Sequence, residues 1–176
     1  MAGFDKLSKT NLILVMGVSG CGKSTVGKML ADRLGFAFLD ADDFHSDANK
    51  AKMNEGIPLT DSDRLPWLQA ISAKIDELLL NDEQVLLACS ALTEAYREIL
   101  IKDRGPIPII LLEGSEELFA ERLSQRKDHF FNKNLLPSQL EKLQRPEKAI
   151  YLDSAKTPAE IVRDACYELG YHRSTA

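Results

Sequence analysis

Short apolar runs alternate with stretches of helical periodicity along this chain. Residues Asn11 to Met16 read Asn-Leu-Ile-Leu-Val-Met, the pattern of a buried strand. Phe36 to Leu39, Val85 to Cys89, Ile107 to Leu112 and Ala149 to Leu152 are further runs of this kind. Val26, Met29, Leu30 and Leu34 recur at helical spacing after the first run, and Gly35 supplies the stop. A second helix is predicted from near Pro66, because proline is tolerated in a first turn; its buried stripe is Leu68, Ile71, Ile75, Leu78 and Leu79. A third carries Tyr96, Ile99 and Leu100. A fourth follows Ser115, with Glu116 and Glu117 in its first turn. The last opens on Thr157-Pro158-Ala159-Glu160, a capping box with proline at the first helical position. It turns Ile161, Val162, Ala165, Cys166 and Leu169 to the core and ends at Gly170.

This alternation predicts an α/β three-layer sandwich around a parallel sheet of about five strands, with right-handed crossovers. Such sheets bind ligands at the carboxyl ends of their strands. Two polar stretches, 40–63 and 127–145, are too long for ordinary connectors and follow that edge. They are the candidate substrate-binding segment and lid of a single domain spanning 1–176.

Bulk composition narrows the classes. The chain has 176 residues, 44% hydrophobic and 28% charged, as expected of a soluble globular domain. A net charge of −5 argues against a nucleic-acid surface but leaves room for a local basic pocket. No stretch has the length of a membrane span, and no signal peptide is visible. Cys21, Cys89 and Cys166 fit no metal spacing. Their odd number leads to an expectation of reduced thiols and a cytoplasmic location. Cys21 has two readings, a small filler or a thiol activated by a helix N-terminus.

The chemistry starts at Gly17-Val18-Ser19-Gly20-Cys21-Gly22-Lys23-Ser24, which fills every fixed position of the phosphate-loop pattern G-x-x-x-x-G-K-[ST]. Strand, glycine loop and helix come in the order the motif needs. The loop through Thr25 is the candidate ATP site: main-chain N–H groups for the phosphates, Lys23 for the β- and γ-phosphates, and the Ser24 hydroxyl for Mg²⁺. Asp40 and Asp42 end the second strand. Asp40 is the candidate to hold Mg²⁺, directly or through water, and Asp42 to accept a hydroxyl proton. Capping of the next turn is the competing role for both. Arg122 and Arg126 share a helix face near the lid and suit the charge that develops on a transferring phosphoryl group. Ordinary surface pairing with Glu117 or Glu121 is the alternative.

Several segments together resemble the gluconate kinase family over most of the chain. They are Met16 to Thr25, Asp40-Ala41-Asp42-Asp43-Phe44-His45, Asn49 to Met53, and Gly56 to Arg64 followed by Pro66-Trp67-Leu68. Cys89-Ser90-Ala91-Leu92, Tyr96-Arg97, Arg126 to Phe131 and Ser138-Gln139 complete the set. The resemblance implies a nucleoside-kinase-like fold with a mobile lid, often a homodimer, and ATP-dependent phosphorylation of D-gluconate at its 6-hydroxyl. It makes Lys23, Asp42 and Arg126 the catalytic candidates. Asp42, His45, Lys52, Arg64, Arg97 and His129 become candidates for the sugar acid, with Arg64 and Arg97 as carboxylate anchors. The chain departs from the family pattern at Thr93, where lysine is usual, at Asp128, where glycine is, and at Arg145, where an acidic residue is. A kinase for another hydroxy acid such as shikimate, or a non-catalytic nucleotide sensor, are the alternative readings. A GTPase would need Asn-Lys-x-Asp, and the chain's Asn-Lys pairs lack the aspartate.

Overall fold

A computed structural model describes residues 10–125 and 132–171. Five strands, β1 (Leu12–Met16), β2 (Ala37–Asp40), β3 (Val85–Cys89), β4 (Ile109–Glu113) and β5 (Ile150–Asp153), pair in the order β2-β3-β1-β4-β5. Every pairing is parallel, with Leu12 opposite Val85 and Leu14 opposite Ile109 across β1. All five residues of β1 and of β3 are buried, as strands covered on both faces must be.

Seven helices form the outer layers: α1 (Lys23–Leu34), α2 (Asp47–Asn54), α3 (Asp61–Leu80), α4 (Glu94–Ile101), α5 (Glu116–Gln125), α6 (Leu136–Lys142) and α7 (Pro158–Glu168). Period-two alternation along the strands divides the core. Ile13, Val15, Leu86, Ile110 and Leu112 pack against α1 and α7 through Val26, Leu30, Ile161 and Ala165. Leu12, Leu14, Met16, Leu87 and Leu111 pack against α3 and α4 through Leu68, Ile71, Ile75 and Leu100. Among the described residues, no helix is long and apolar enough to cross a membrane.

Two details differ from the sequence reading. α3 begins at Asp61, five residues before Pro66, which lies inside the helix. Thr60 and Asp63 explain the earlier start, because they form a full capping box that holds the first turn. The polar stretch 40–63 is also mostly ordered. It contains a 3₁₀ turn at Ala41–Phe44 and the whole of α2, whose N-terminus is capped by the Ser46 side chain. Likewise 132–145 contains α6 and a 3₁₀ turn at Lys133–Leu135. The predicted box at Thr157 and Glu160 is present, with Pro158 in the first turn of α7.

Candidate active site

The chain reverses direction across the sheet at β1: α1 leads to β2 on one side, while β4 lies on the other. A crevice therefore opens beyond the carboxyl end of β1, and the glycine loop fills it. Gly20 has φ +86, and a Cβ there would sit 2.8 Å from the Phe119 carbonyl oxygen. Gly22 has φ +95 and is the N-cap of α1. Both are left-handed positions where glycine is favoured. Side chains of Ser46, Thr60, Thr93 and Thr157 cap α2, α3, α4 and α7, but no side chain caps α1. Its first intrahelical bond is Val26 N–H to the Gly22 carbonyl, at 2.9 Å. The N–H groups before Val26 belong to the open end of the helix, where its positive dipole end favours an anion.

Lys23 is the first residue of that helix and is buried. Burial pulls its pKa down, but the charges of Cys21, Asp42 and Asp40 more than offset this, and the net shift is upward. Lys23 therefore stays protonated. The ends of β1 and β2 bring these charges together, since Asp40 is the last residue of β2. Asp40 also caps its own turn by accepting the Asp42 N–H at 3.0 Å. Ser24 and Asp40 are thus the oxygen donors that can serve a divalent cation beside bound phosphate. No cluster of three or more His, Cys, Asp or Glu able to hold a metal by itself occurs among the described residues. That donor set fits a hydrated Mg²⁺ shared with phosphate oxygens and does not fit a protein-only metal cage.

The turn that carries Asp42 is fixed from below. Trp67 is buried and donates from Nε1 to the Ala41 carbonyl at 2.7 Å. Its ring stacks on His45, with centroids 4.3 Å apart and planes 9° from parallel. Burial lowers the His45 pKa to about 4, and Arg64 and Lys50 push the same way against Asp42. His45 is therefore neutral at physiological pH, with imidazole donor and acceptor atoms for hydroxyls.

The remaining candidates divide by location. Arg64 donates to the Leu59 carbonyl and to the Tyr96 hydroxyl, lies over the Tyr96 ring at 5.6 Å, and acts electrostatically on His45. It is thus a cation that both braces Tyr96 and faces His45. Lys52 is held by both Asp63 oxygens, at 2.8 and 3.0 Å, joining α2 to the first turn of α3. Arg97 is buried and donates to the Ala91 and Leu92 carbonyls at 3.0 and 3.4 Å, so one arm of its guanidinium shapes the turn after β3. Arg122 donates to the Ser154 carbonyl at 2.6 Å. Arg126 and His129 lie outside the described residues, as does Asp128. Thr93 caps α4 by accepting the Tyr96 N–H, and Arg145 pairs with Glu113 at 2.8 Å.

A cavity adjoins the loop on the α7 side, lined by Gly22, Thr25, Arg122, Ser154, Lys156 and Pro158. The Ser154 hydroxyl there is fully buried and has no hydrogen-bond partner among the described residues. Cys21 is buried against Gly17, which matches the filler reading.

Comparison with known proteins decides the family. The chain is 43% identical over 166 residues to a probable gluconokinase of Dictyostelium discoideum, covering 87% of this chain and 83% of that protein. It is 43% identical over 175 residues to a gluconokinase of Arabidopsis thaliana, covering 90% and 91%. The chain belongs to the gluconokinase family. The crystal structure of a gluconokinase from Sinorhizobium meliloti 1021 superposes with a TM-score of 0.79 at 42% identity, covering 92% of this chain and 91% of that one. Residues 19–164 also match the shikimate kinase family model. A solved shikimate kinase from Aquifex aeolicus shares 21% identity at a TM-score of 0.57, which is a likeness of fold. Gluconokinase-family membership makes this chain a P-loop small-molecule kinase.

The sequence reading passed over Gln139 and Tyr96 as site residues. Gln139 and Tyr96 stood inside family-like segments, yet no spacing rule links them to the loop. Gln139 becomes visible only once α6 brings its carboxamide to the Ser19 N–H, and Tyr96 only once α4 brings its hydroxyl to Arg64 and Asp61.

Proposed function

We propose that this protein transfers the γ-phosphoryl group of ATP to the 6-hydroxyl of D-gluconate, giving 6-phospho-D-gluconate and ADP. The observation that carries the reading is the placement of Asp42 beside Lys23 at the mouth of an uncapped helix. That arrangement puts a proton acceptor next to a phosphate cradle. The identity to gluconokinases supports the choice of acid.

The loop N–H groups and Lys23 hold the triphosphate. The cavity with Ser154, Lys156 and Pro158 takes the nucleoside. Ser24 and Asp40 would hold Mg²⁺, which when bound neutralises charge on the β- and γ-oxygens. Asp42 accepts the proton of the attacking hydroxyl and orients it in line. Arg64 binds the sugar-acid carboxylate, and neutral His45 hydrogen-bonds a sugar hydroxyl. Lys52 and Arg97 support the acceptor wall through Asp63 and through the Ala91 carbonyl. Arg122 and Arg126 stabilise charge on the transferring group, and His129 contacts the acid from the lid.

A second reading, phosphorylation of shikimate, rests on the shikimate kinase model over 19–164. ADP release measured with gluconate and with shikimate separates the two. The proposal expects ADP release that depends on gluconate and is absent with shikimate. Release that depends on shikimate alone, or that is indifferent to both acids, refutes it.

A further inference from the structure

One donor of the phosphate loop is already in use. The Ser19 N–H donates to Oε1 of Gln139 at 2.7 Å, across 120 positions of sequence. Gln139 lies on α6. Three residues further along the same helix, Lys142 pairs with Asp61 at 3.2 Å and lies 5.5 Å from the Tyr96 ring centre. Tyr96 in turn donates to Asp61 and accepts from Arg64. Just beyond α6, the Gln144 N–H donates to the Leu92 carbonyl at 2.8 Å, and Gln144 Oε1 accepts the Glu94 N–H at 2.7 Å. Helix α6 thus touches the donor loop at one point and the elements around Arg64 at the other.

Stability alone gives this link no evident purpose. Leu136 already anchors α6 in the core at 1% exposure. A long carboxamide loses rotamer freedom when it is fixed. Committing a loop N–H to a neighbouring helix also removes that donor from anion binding. The bond makes sense if the distance between loop and acceptor wall is what it sets.

We propose that Gln139 is a positioning residue for phosphoryl transfer. Through the Ser19 N–H it fixes the phosphate loop relative to α6, and through Lys142 relative to the acceptor wall. The acceptor hydroxyl, and not water, then faces the γ-phosphate. This inference rests on the proposed sugar-acid kinase activity. A neutral carboxamide suits the role, because it accepts the N–H without bringing negative charge to the cradle.

Two variants test it. Gln139→Met keeps side-chain length and removes the acceptor oxygen. Gln139→Glu keeps an acceptor oxygen and adds a charge. The readout is the ratio of acid-independent ATP hydrolysis to gluconate phosphorylation, which does not depend on the fraction of folded enzyme. Gln139→Met should raise that ratio about tenfold and lower kcat, with the KM for ATP within about twofold of wild type. Gln139→Glu should hold the ratio within about twofold and raise the KM for ATP about tenfold, by repulsion of the phosphates. An unchanged ratio in Gln139→Met overturns the proposal, as does an equal rise in both variants. A Met variant that is unfolded at the assay temperature also overturns it, since the role is then structural. Absence of acid-dependent turnover in the wild type, over a panel of aldonic acids, refutes the kinase reading and this inference with it. Normal wild-type turnover with an unaltered Met variant refutes this inference alone.

Discussion

Lys23 keeps its proton although it is buried, because Asp42 and Asp40 place negative charge beside it. The same charges would be unfavourable to one another without it. This mutual dependence sets the expected outcome of substitution. Lys23→Ala removes the cation proposed to meet the β- and γ-phosphates, so kcat should fall by about two orders of magnitude or more. Its far-ultraviolet circular dichroism should remain that of the folded protein. Near-normal turnover would remove Lys23 from the mechanism. Asp42→Asn keeps the size of the side chain and loses the proton acceptor. Its kcat should fall by about 10²- to 10⁴-fold while ATP affinity changes little. A loss confined to ATP affinity would assign Asp42 to nucleotide or metal binding. Cys89 offers no competing nucleophile, since burial pushes its thiol up to about 12.

Strands and the longer helices were legible in the sequence because apolar periodicity and caps act locally. Val85 to Cys89 and the Thr157 box needed no tertiary information. Helix α2 was not legible, because only Asn49 and Met53 are buried in it and its composition is polar. The start of α3 was masked by Pro66, whose helix-breaking tendency is overridden by the Thr60–Asp63 box and by Trp67 and Leu68 in the core. The phosphate loop was legible in full, since its function resides in contiguous residues. The acceptor wall was legible only as a set of separate cations, because pairings such as Lys52 with Asp63 join positions that no period connects. A cap gives a direct test at this scale. Thr157→Ala removes the hydroxyl that accepts the Glu160 N–H and donates to the Glu160 carboxylate. Chemical denaturation should show a loss of about 1 kcal/mol. Because α7 also borders, through Pro158, the cavity proposed for the nucleoside, the KM for ATP should rise modestly. No change in either quantity would remove the box from the stability of α7.

The whole molecule places five parallel strand ends along one edge and gathers its functional groups there. The proposed anionic ligands are compatible with a net charge of −5, because Lys23 heads α1 and Arg122 borders the adjoining cavity. Global stability should carry the signature of the same site. The His45 pKa is about 4 in the folded state against 6.5 for the free side chain. Between those values the unfolded chain binds a proton that the folded one does not, so stability falls as pH falls from 6.5 to 4. Below that window Asp63 continues the trend. Its pKa is held at about 2, chiefly by the Lys52 ammonium and by Thr60, so its contribution is lost as pH falls from 3.8 to 2. Melting temperatures across pH 4 to 7 should therefore decline toward acid, and His45→Gln should flatten the upper part of that decline. Identical slopes in the two proteins would contradict the assignment of a neutral, half-buried His45.

Phosphoryl transfer to a sugar acid remains the claim on which the site assignments depend. ³¹P NMR of the purified protein with Mg·ATP and gluconate tests it most directly. The account predicts a new phosphomonoester signal coupled to the protons on C6, rising in equal amount with ADP. Inorganic phosphate as the sole new phosphorus product, or a monoester at another carbon, would contradict it.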